Sequence, residues 1–567
     1  MVSGSAGSEG RRPGRAFSCI PGQRPEASRG VNPSLICFED EHLLVVNKPA
    51  GWNTHAPAPF AGEGIYDWLR HREPRWAALA IIHRLDKETS GVLLFGKTPL
   101  ANRSLTEQFT RRSAHKHYQL VTDRRVKSAS FTVESFIRRA GERYVSATAG
   151  SAEERAITRF KVLRHDGGKT WLEAAPITGR THQIRVHAAA QGFPILGDTL
   201  YGGTTAARVC LHAQRLAVEH PATGERREFN APVDFATDTR LALRAAVIDP
   251  AATTAFRLVH GAGDQQAGWY VERLGEHLLS QSAAPLNEDE AAQLREWLAQ
   301  FGLAGAYHKI LNRQVRRTAP EDVSPQLVAG TAAGEEVLVR ENGVRFALRF
   351  GEGYSVGLFL DQRDNRRRFL TGHVAGNFPL FPSGPAGAEV LNTFAYTCGF
   401  SVCAAKAGAR VTSLDLSRKY LDWGRRDFTA NELDPAAHDF IYGDTFDWLK
   451  RLAKKGRCFD AVVLDPPTFS QSKATGVFQA AKDYGRLVTA ALPALKPGGV
   501  LLASTNAATL KPEDFLAQIT AAIASAGRRI AQQHYVPQPP DFPITREEPA
   551  YLKTVWMRVE GSEGGGA

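Results

Sequence analysis

Apolar residues recur along this chain with two different periods, and the stretches over which each period holds divide it into unlike regions. Near the amino terminus the unbroken run Val92-Leu93-Leu94-Phe95 has the length and composition of a core strand, entered through the turn-forming stretch HRLDKETSG of residues 83–91. Residues 115–122, HKHYQLVT, alternate as a strand, with Lys116 and Tyr118 on one face and His117 and Gln119 on the other. Residues 179–198, GRTHQIRVHAAAQGFPILGD, read as a helix that Thr181 caps and Gly192 stops. Between 241 and 345 the pattern gives two strands around Gly-rich turns, the amphipathic helix NEDEAAQLREWLAQFG, and a hairpin turning at Asn342-Gly343, which together predict a small α+β module. After the Gly/Pro-rich connection GHVAGNFPLFPSGPAGAE, strands and helices alternate: EVLNTF, VTSLDLS, HDFIYGD and CFDAVVLDPPTF are each separated by a helix. That order predicts a parallel sheet covered on both faces.

A chain of 567 residues exceeds one hydrophobic core, so the fold class is multidomain, α+β followed by α/β. The expected boundaries are a disordered basic tail over 1–32, a first domain over 33–240, the module over 241–350, the α/β domain over 351–560, and a flexible end over 561–567. With 43% hydrophobic and 23% charged residues the composition is ordinarily globular. No stretch approaches the length of a membrane span. Six cysteines without a Cys-x-x-Cys pair argue against a disulfide framework and against a zinc site, so no metal is expected and the compartment is read as the bacterial cytoplasm. A net charge of +11 and a pI near 9.4 suit a polyanionic partner such as RNA. Backbone contacts are expected at Arg111 and Arg112, at Arg313, Arg316 and Arg317, and at Arg366, Arg367 and Arg368. No membrane and no obligate protein partner is called for.

Asp86 beside Arg84 is weak evidence of chemistry alone, since most such pairs are surface ion pairs. Its combination with the 115–122 strand and the 179–198 helix is specific. Together with FEDEHLLVVNKPAGWNTH (38–55), LHAQRL and Asn-Ala-Pro-Val-Asp-Phe ending at Phe235, these segments resemble the RluA-type pseudouridine synthases over roughly 33–240. The resemblance implies a mixed-sheet domain that isomerises uridine without a cofactor. Asp86 is then the essential carboxylate, acting as nucleophile or as base. Arg185 is its cationic partner, Tyr118 the aromatic that stacks on uracil, and Arg84 the residue that fills the place of the flipped nucleotide. Arg180 is expected to bind substrate, its simplest role being a contact to phosphate alone.

In the last domain the loop NTFAYTCG follows the first strand, and Asp415, Asp444 and Asp465 stand at three successive strand ends. The dinucleotide fingerprint G-x-G-x-x-G is absent, and a loop with one glycine favours S-adenosylmethionine over NAD. LFLDQRDNR (358–366) and NTFAYTCGFSV (392–402) resemble the Rossmann-like class I methyltransferases of the RlmI and RlmK types, in which glycine more often stands where Cys398 does. The resemblance implies that Asn392, Phe394 and Tyr396 line the cofactor loop, Asp415 holds the ribose, Asp444 faces the adenine and Asp465 sits by the methyl donor. Cytosine C5 methylation needs a cysteine thiolate, and the strand GGVLLASTNAATL has none, while Cys458 lies on the wrong side of its own strand. Adenine N6 enzymes place an aromatic directly after the two prolines, where Thr468 stands here before Phe469. The DPPTFSQSK string (465–473), with Ser504 and Asn506 on the later strand, is more similar to the RlmK type, and that resemblance implies guanine N7 as the favoured acceptor. The sequence thus predicts a two-headed enzyme acting on neighbouring sites of one ribosomal RNA. Transfer RNA as substrate, cytosine C5 methylation, and one head reduced to a non-catalytic RNA-binding module are the alternatives.

Overall fold

A computed structural model describes residues 16–18, 32–311, 324–353, 355–472 and 476–561. Contacts divide the chain into two compact units, the described parts of 1–28, 32–54 and 78–246 in one, and of 55–77 and 247–567 in the other. Arg313, Arg316 and Arg317 lie outside the described residues.

The first unit is built on a twelve-stranded mixed sheet. Ser90–Gly96, buried at every position, runs antiparallel to Leu43–Lys48 on one side and pairs parallel with Leu211–Glu219 on the other, which is why its sequence is continuously apolar rather than alternating. Gly91 has φ +115° and a Cβ there would stand 2.2 Å from the Ala213 carbonyl oxygen, so only glycine lets these two strands meet just after Asp86. His115–Thr122 lies between Leu211–Glu219 and Lys169–Pro176, and Tyr118 faces Ala213 on one neighbour and Ala174 on the other. The helix Gln183–Ala190 stops before Gly192, at φ +79°, as expected. Its N-cap, however, is His182 in the left-handed region, not Thr181. No side chain caps the helix; the Gln183 carboxamide accepts from the Arg180 amide (3.0 Å) and the Thr178 hydroxyl (2.6 Å), holding the turn that leads into it. Within the segment expected to be a disordered tail, Ala16–Ser18 form a strand parallel to Arg226–Asn230.

The second unit carries two larger sheets. A five-stranded sheet runs Ala255–His260, Trp269–Leu274, His277–Ser282, Gly305–Ile310 and Gln326–Gly330. The helix Glu288–Phe301 crosses between its parallel pair, capped by Asn287 and Glu290, with Trp297 stacked on Trp269 at 5.7 Å. The hairpin Val337–Glu341/Val344–Leu348 turns at Asn342-Gly343, both at positive φ. The seven-stranded sheet has the order Asp439–Tyr442, Arg410–Asp415, Glu389–Thr393, Phe459–Leu464, Leu495–Thr505, Lys553–Glu560 and Arg529–Val536, with Lys553–Glu560 antiparallel to both neighbours. Successive residues feed opposite cores: Val390, Ala461 and Val463 enter one cluster, Leu391, Val462 and Leu464 the other. Asp541 joins the sheets, accepting from the Arg257 amide (3.0 Å) and from both terminal nitrogens of Arg363 (2.8 and 2.6 Å).

Residues 55–77 belong to this second unit although strands of the first precede and follow them. Their helix Ile65–Arg72 buries Ile65, Trp68 and Leu69. Arg366, Arg367 and Arg368, expected to meet RNA, are buried instead. Arg366 forms a fork with Glu341 (2.7 and 2.6 Å), Arg367 reaches Glu73 (3.0 Å) and the Arg72 carbonyl, and Arg368 donates to the carbonyls of Val374 and Asp364. Among the described cysteines Cys37 is disulfide-bonded, an exception to the reading of the cysteine count, while Cys210, Cys398, Cys403 and Cys458 are free. No helix among the described residues is long and apolar enough to cross a membrane.

Candidate active sites

In the first unit the ends of three sheet strands and the start of one helix surround a cavity of about 670 Å³. Asp86, Arg84, Tyr118, Arg180 and Arg185 all line it, so residues separated by a hundred positions in sequence share one space. Asp86 is fixed by the turn in which the Thr89 amide donates to its carbonyl. Its side chain is 24% exposed, open enough for a substrate to reach. Arg185 Nη1 stands 3.8 Å from Asp86 and 3.3 Å from Glu88, and His182 Nε2 stands 4.0 Å from Asp86. Burial raises the Asp86 carboxyl above its usual range; His182, Arg185 and Lys48 pull it down and Glu88 pushes it further up.

Arg185 does not face Asp86 with its whole guanidinium. Nε and Nη2 are held by the two oxygens of buried Asp198 at 2.7 and 2.8 Å, which leaves Nη1 to turn toward the cavity. His182 Nδ1 is hydrogen-bonded to the Tyr201 hydroxyl (2.8 Å), which also accepts from the Tyr144 amide, so the imidazole presents Nε2 to Asp86. Beneath the loop, Lys48 Nζ donates to the carbonyls of Pro49 (2.9 Å), Trp52 (2.7 Å) and Lys87 (3.2 Å). Burial pulls this amine down to about 7 against Glu88 and Asp86, yet three carbonyl acceptors match the three protons of the ammonium, and the charged form is the one the geometry satisfies. The Tyr118 phenol is pushed up by burial and by Asp86 and stays protonated. His83 is structural: its Nε2 accepts from the Leu94 amide, its ring stacks on Phe109, and burial holds it neutral, down at about 3. Sequence reasoning did not single out Asp198, His182, Glu88 or Lys48; the last stands in the Lys-Pro turn, and Asp198 closes the helix segment.

In the second unit the loop after Glu389–Thr393 has alternating left-handed residues, Phe394 (φ 54°), Tyr396 (φ 49°) and Cys398 (φ 64°). Asp415 fastens it: one carboxylate oxygen accepts from the Tyr396 amide and the other from the Ser417 amide, both at 2.8 Å. The Tyr396 ring lies between Phe359 and Tyr420. The Asn392 carboxamide is buried and donates to Ser401, so it braces the loop from behind. Asp444 caps the helix Thr445–Lys454 through the Asp447 amide. Asp465, after Phe459–Leu464, accepts from Gln362 (3.2 Å), whose amide also donates to Ser504 (2.8 Å); burial and then Asp361 push its carboxyl up to about 6. The Thr468 hydroxyl donates to Asn506 at 2.7 Å, tying the Asp-Pro-Pro-Thr loop to the end of the next strand. Cys458 lies at the opposite end of Phe459–Leu464 from Asp465, with its thiol on the Pro493 carbonyl. The three acids and the fastened loop suit a ligand that carries ribose hydroxyls and a cationic centre. Gln362 and Ser504 are the partners of Asp465 that no local pattern announced.

The RNA pseudouridylate synthase family matches residues 42–190, and the S-adenosylmethionine-dependent methyltransferase family matches residues 267–558, module and large sheet together. Over 337 residues the chain is 32% identical to a "Ribosomal RNA large subunit methyltransferase" of Deinococcus radiodurans, covering 57% of this chain and 78% of that protein. Over 213 residues it is 40% identical to "Ribosomal large subunit pseudouridine synthase C" of Yersinia pestis, covering 35% of this chain and 65% of that protein. The protein of the same name from Salmonella typhimurium is 38% identical over 218 residues, which are 36% of this chain and 67% of that protein.

Proposed function

Because this chain belongs both to the RNA pseudouridylate synthase family and to the S-adenosylmethionine-dependent methyltransferase family, we propose that its two activities serve one ribosomal RNA, converting a uridine to pseudouridine and methylating a nearby base. The observation that carries the reading is the presence, in one chain, of two separately built constellations. One is centred on Asp86 and Arg185, the other on Asp415 and Asp465. Substrate names of relatives on both halves point to the large ribosomal subunit. A substrate held by one head raises the effective concentration of the other.

On this reading Asp86 attacks the sugar or removes its proton while Arg185, clamped by Asp198, stabilises the carboxylate. Tyr118, flanked by Ala174 and Ala213, offers its ring to the uracil. Arg84, exposed at the cavity mouth, takes the place of the flipped base, and Arg180 meets phosphate. In the other head Asn392, Phe394 and Tyr396 shape the cofactor loop, Asp415 takes the ribose hydroxyls, Asp444 lies on the adenine side and Asp465 by the methyl donor. Bound S-adenosylmethionine supplies an electrophilic methyl group. Guanine N7 is the favoured acceptor, because its lone pair needs positioning and no base. Cys458 does not supply the thiolate that cytosine C5 chemistry needs, since it sits at the far end of the strand from Asp465.

The deciding experiment maps ribosomal RNA nucleosides in cells lacking this chain and complemented with wild type, Asp86→Ala or Asp465→Ala. Loss of one pseudouridine in the first variant and one methyl group in the second is expected, and the methyl mass shift falls on guanine. Unchanged ribosomal marks with a change in transfer RNA would overturn the substrate assignment, and a methyl on a pyrimidine carbon would overturn guanine N7.

A further inference from the structure

Away from both constellations, Glu63, His71 and His534 bring one carboxylate and two imidazoles together inside the second unit. A ligand-type atom of each lies within 4.8 Å of the others. Glu63 Oε1 is 2.6 Å from His71 Nδ1, and the rings of His71 and His534 meet edge to face at 4.3 Å between centroids. His534 Nε2 is buried and has no hydrogen-bond partner. A buried polar nitrogen left unpaired is destabilising, so a group that engages it is favoured. Glu63 and His71 also line a cavity of about 260 Å³ whose remaining wall includes Phe60, Asp67 and Tyr535.

We propose that Glu63, His71 and His534 form a binding site for a divalent transition metal of the zinc class, which fastens residues 55–77 to the strand Arg529–Val536. Two imidazoles with one carboxylate form a donor set that such ions take with an open position, and two of the three groups, Glu63 and His71, border the cavity. Coordination requires the Glu63–His71 contact at 2.6 Å to open and the wider separations, up to 4.8 Å, to close to roughly 3.3 Å, about the spacing of tetrahedral ligands at ~2.0 Å from zinc. The neighbourhood is otherwise cationic. Arg70 is engaged by the Ala77 carbonyl and the Tyr66 hydroxyl, Arg368 by two carbonyls, and His373 is buried nearby. Attraction therefore comes from the three ligand bonds and the Glu63 charge, which favours an ion that binds nitrogen covalently over calcium or magnesium.

The test titrates Zn2+ into the full chain after chelator treatment, with calorimetry and thermal melting as readouts and Co2+ absorption as a probe of the donor set. One ion per chain is expected, with a Co2+ spectrum lacking thiolate charge transfer. His534→Ala weakens binding by ~100-fold or more, beyond the ~10–100-fold typical of outer-shell losses, and abolishes the zinc-dependent rise in melting temperature. Glu63→Gln, which keeps the side-chain volume, gives the same loss should His534→Ala fail to fold. Binding that is absent in the wild type, unchanged in both variants, or marked by thiolate charge transfer would overturn the proposal.

Discussion

Asp86 lies under opposing influences that the neighbouring side chains grade. Burial raises its carboxyl, while Arg185 at 3.8 Å and His182 at 4.0 Å lower it. The reactive form is the ionised one, so pseudouridine formation is expected to fall as pH drops through a value above the usual ~4 of an aspartate, measurable as the acid limb of kcat against pH. Asp198 sets how much of Arg185 reaches Asp86. Asp198→Asn keeps the side-chain shape but loses the ionic fork, so it is expected to lower kcat by up to ~100-fold with little change in KM, through misplacement of the guanidinium. The same variant shifts the acid limb to lower pH, because Arg185 is no longer neutralised from behind. An unshifted limb would reduce Asp198 to a packing residue. The five residues read from sequence on the first head do share the cavity, since each stood in a contiguous motif. Their supports were not legible, since a buried partner such as Asp198 or Lys48 is chosen by the fold. Arg366, Arg367 and Arg368 misled for a different reason. Three consecutive helical residues turn ~100° each, so they cannot share one surface, and each found its own buried acceptor.

Between residue and domain, two packing devices hold the second head's elements in place. Cys398, at φ 64°, occupies a backbone position that favours glycine, and its thiol has room only because residue 424, on the helix Arg418–Ala430, is glycine: a Cβ there would meet Cys398 Sγ at 2.4 Å. Gly424→Ala is expected to destabilise the second unit by ~1–3 kcal/mol in urea unfolding through overpacking. Cys398→Gly removes both the strain and the obstacle, and the double variant should recover most of the loss. Additive effects would show that the two positions do not meet. The same helix serves the edge of the hairpin. Asp427 accepts from the Ala347 amide, Asn431 both donates to and accepts from the backbone of Arg345, and Trp423 donates to the Ala347 carbonyl, so side chains stand in for a further strand. The second Asp427 oxygen is buried without a partner, and burial raises the carboxyl to about 8. Between the unfolded value near 4 and this folded value the native state holds the extra proton, so stability is lost as pH rises through that window, by about 1.4 kcal/mol per unit. Asp427→Asn should flatten that part of the stability profile, and an unchanged slope would assign it to other groups. Elements specified locally were legible: the Asn287-capped helix, the Asn342-Gly343 hairpin and the order of parallel strands. Thr181 does not cap because the chain turns through His182, in the left-handed region, before the helix starts, and Gln183 holds that turn by accepting from the Arg180 amide.

At the scale of the whole chain, the second unit is not continuous in sequence. Residues 55–77 leave the first sheet after Leu43–Lys48, contribute the helix Ile65–Arg72 to the second unit, and return before Ala80–Ile81. Their partners lie about 300 positions away: Arg72 pairs with Asp364 across 292 residues, and Glu73 with Arg367 across 294. Such contacts are slow to form and make no local pattern, so a reading by composition and period assigns the segment to its sequence neighbours. Within the unit the segment satisfies charges that are already buried. Against the pull of burial, Arg363, Arg72, Arg368 and Arg367 hold the Asp364 carboxyl below its ordinary range, and removing Arg72 and Glu73 leaves Asp364 and Arg367 each short of a partner. Losing the burial of Ile65, Trp68 and Leu69 adds ~1.5–3 kcal/mol for each side chain. A chain cut to residues 247–567, which retains every acid of the second head, is therefore expected to unfold at markedly lower urea and to bind S-adenosylmethionine weakly or not at all. Adding a peptide of residues 55–77 should restore part of both. If the shortened chain melts with the second unit of the full chain and binds the cofactor equally well, the segment contributes nothing to that fold, and the methyltransferase is complete without its inserted helix.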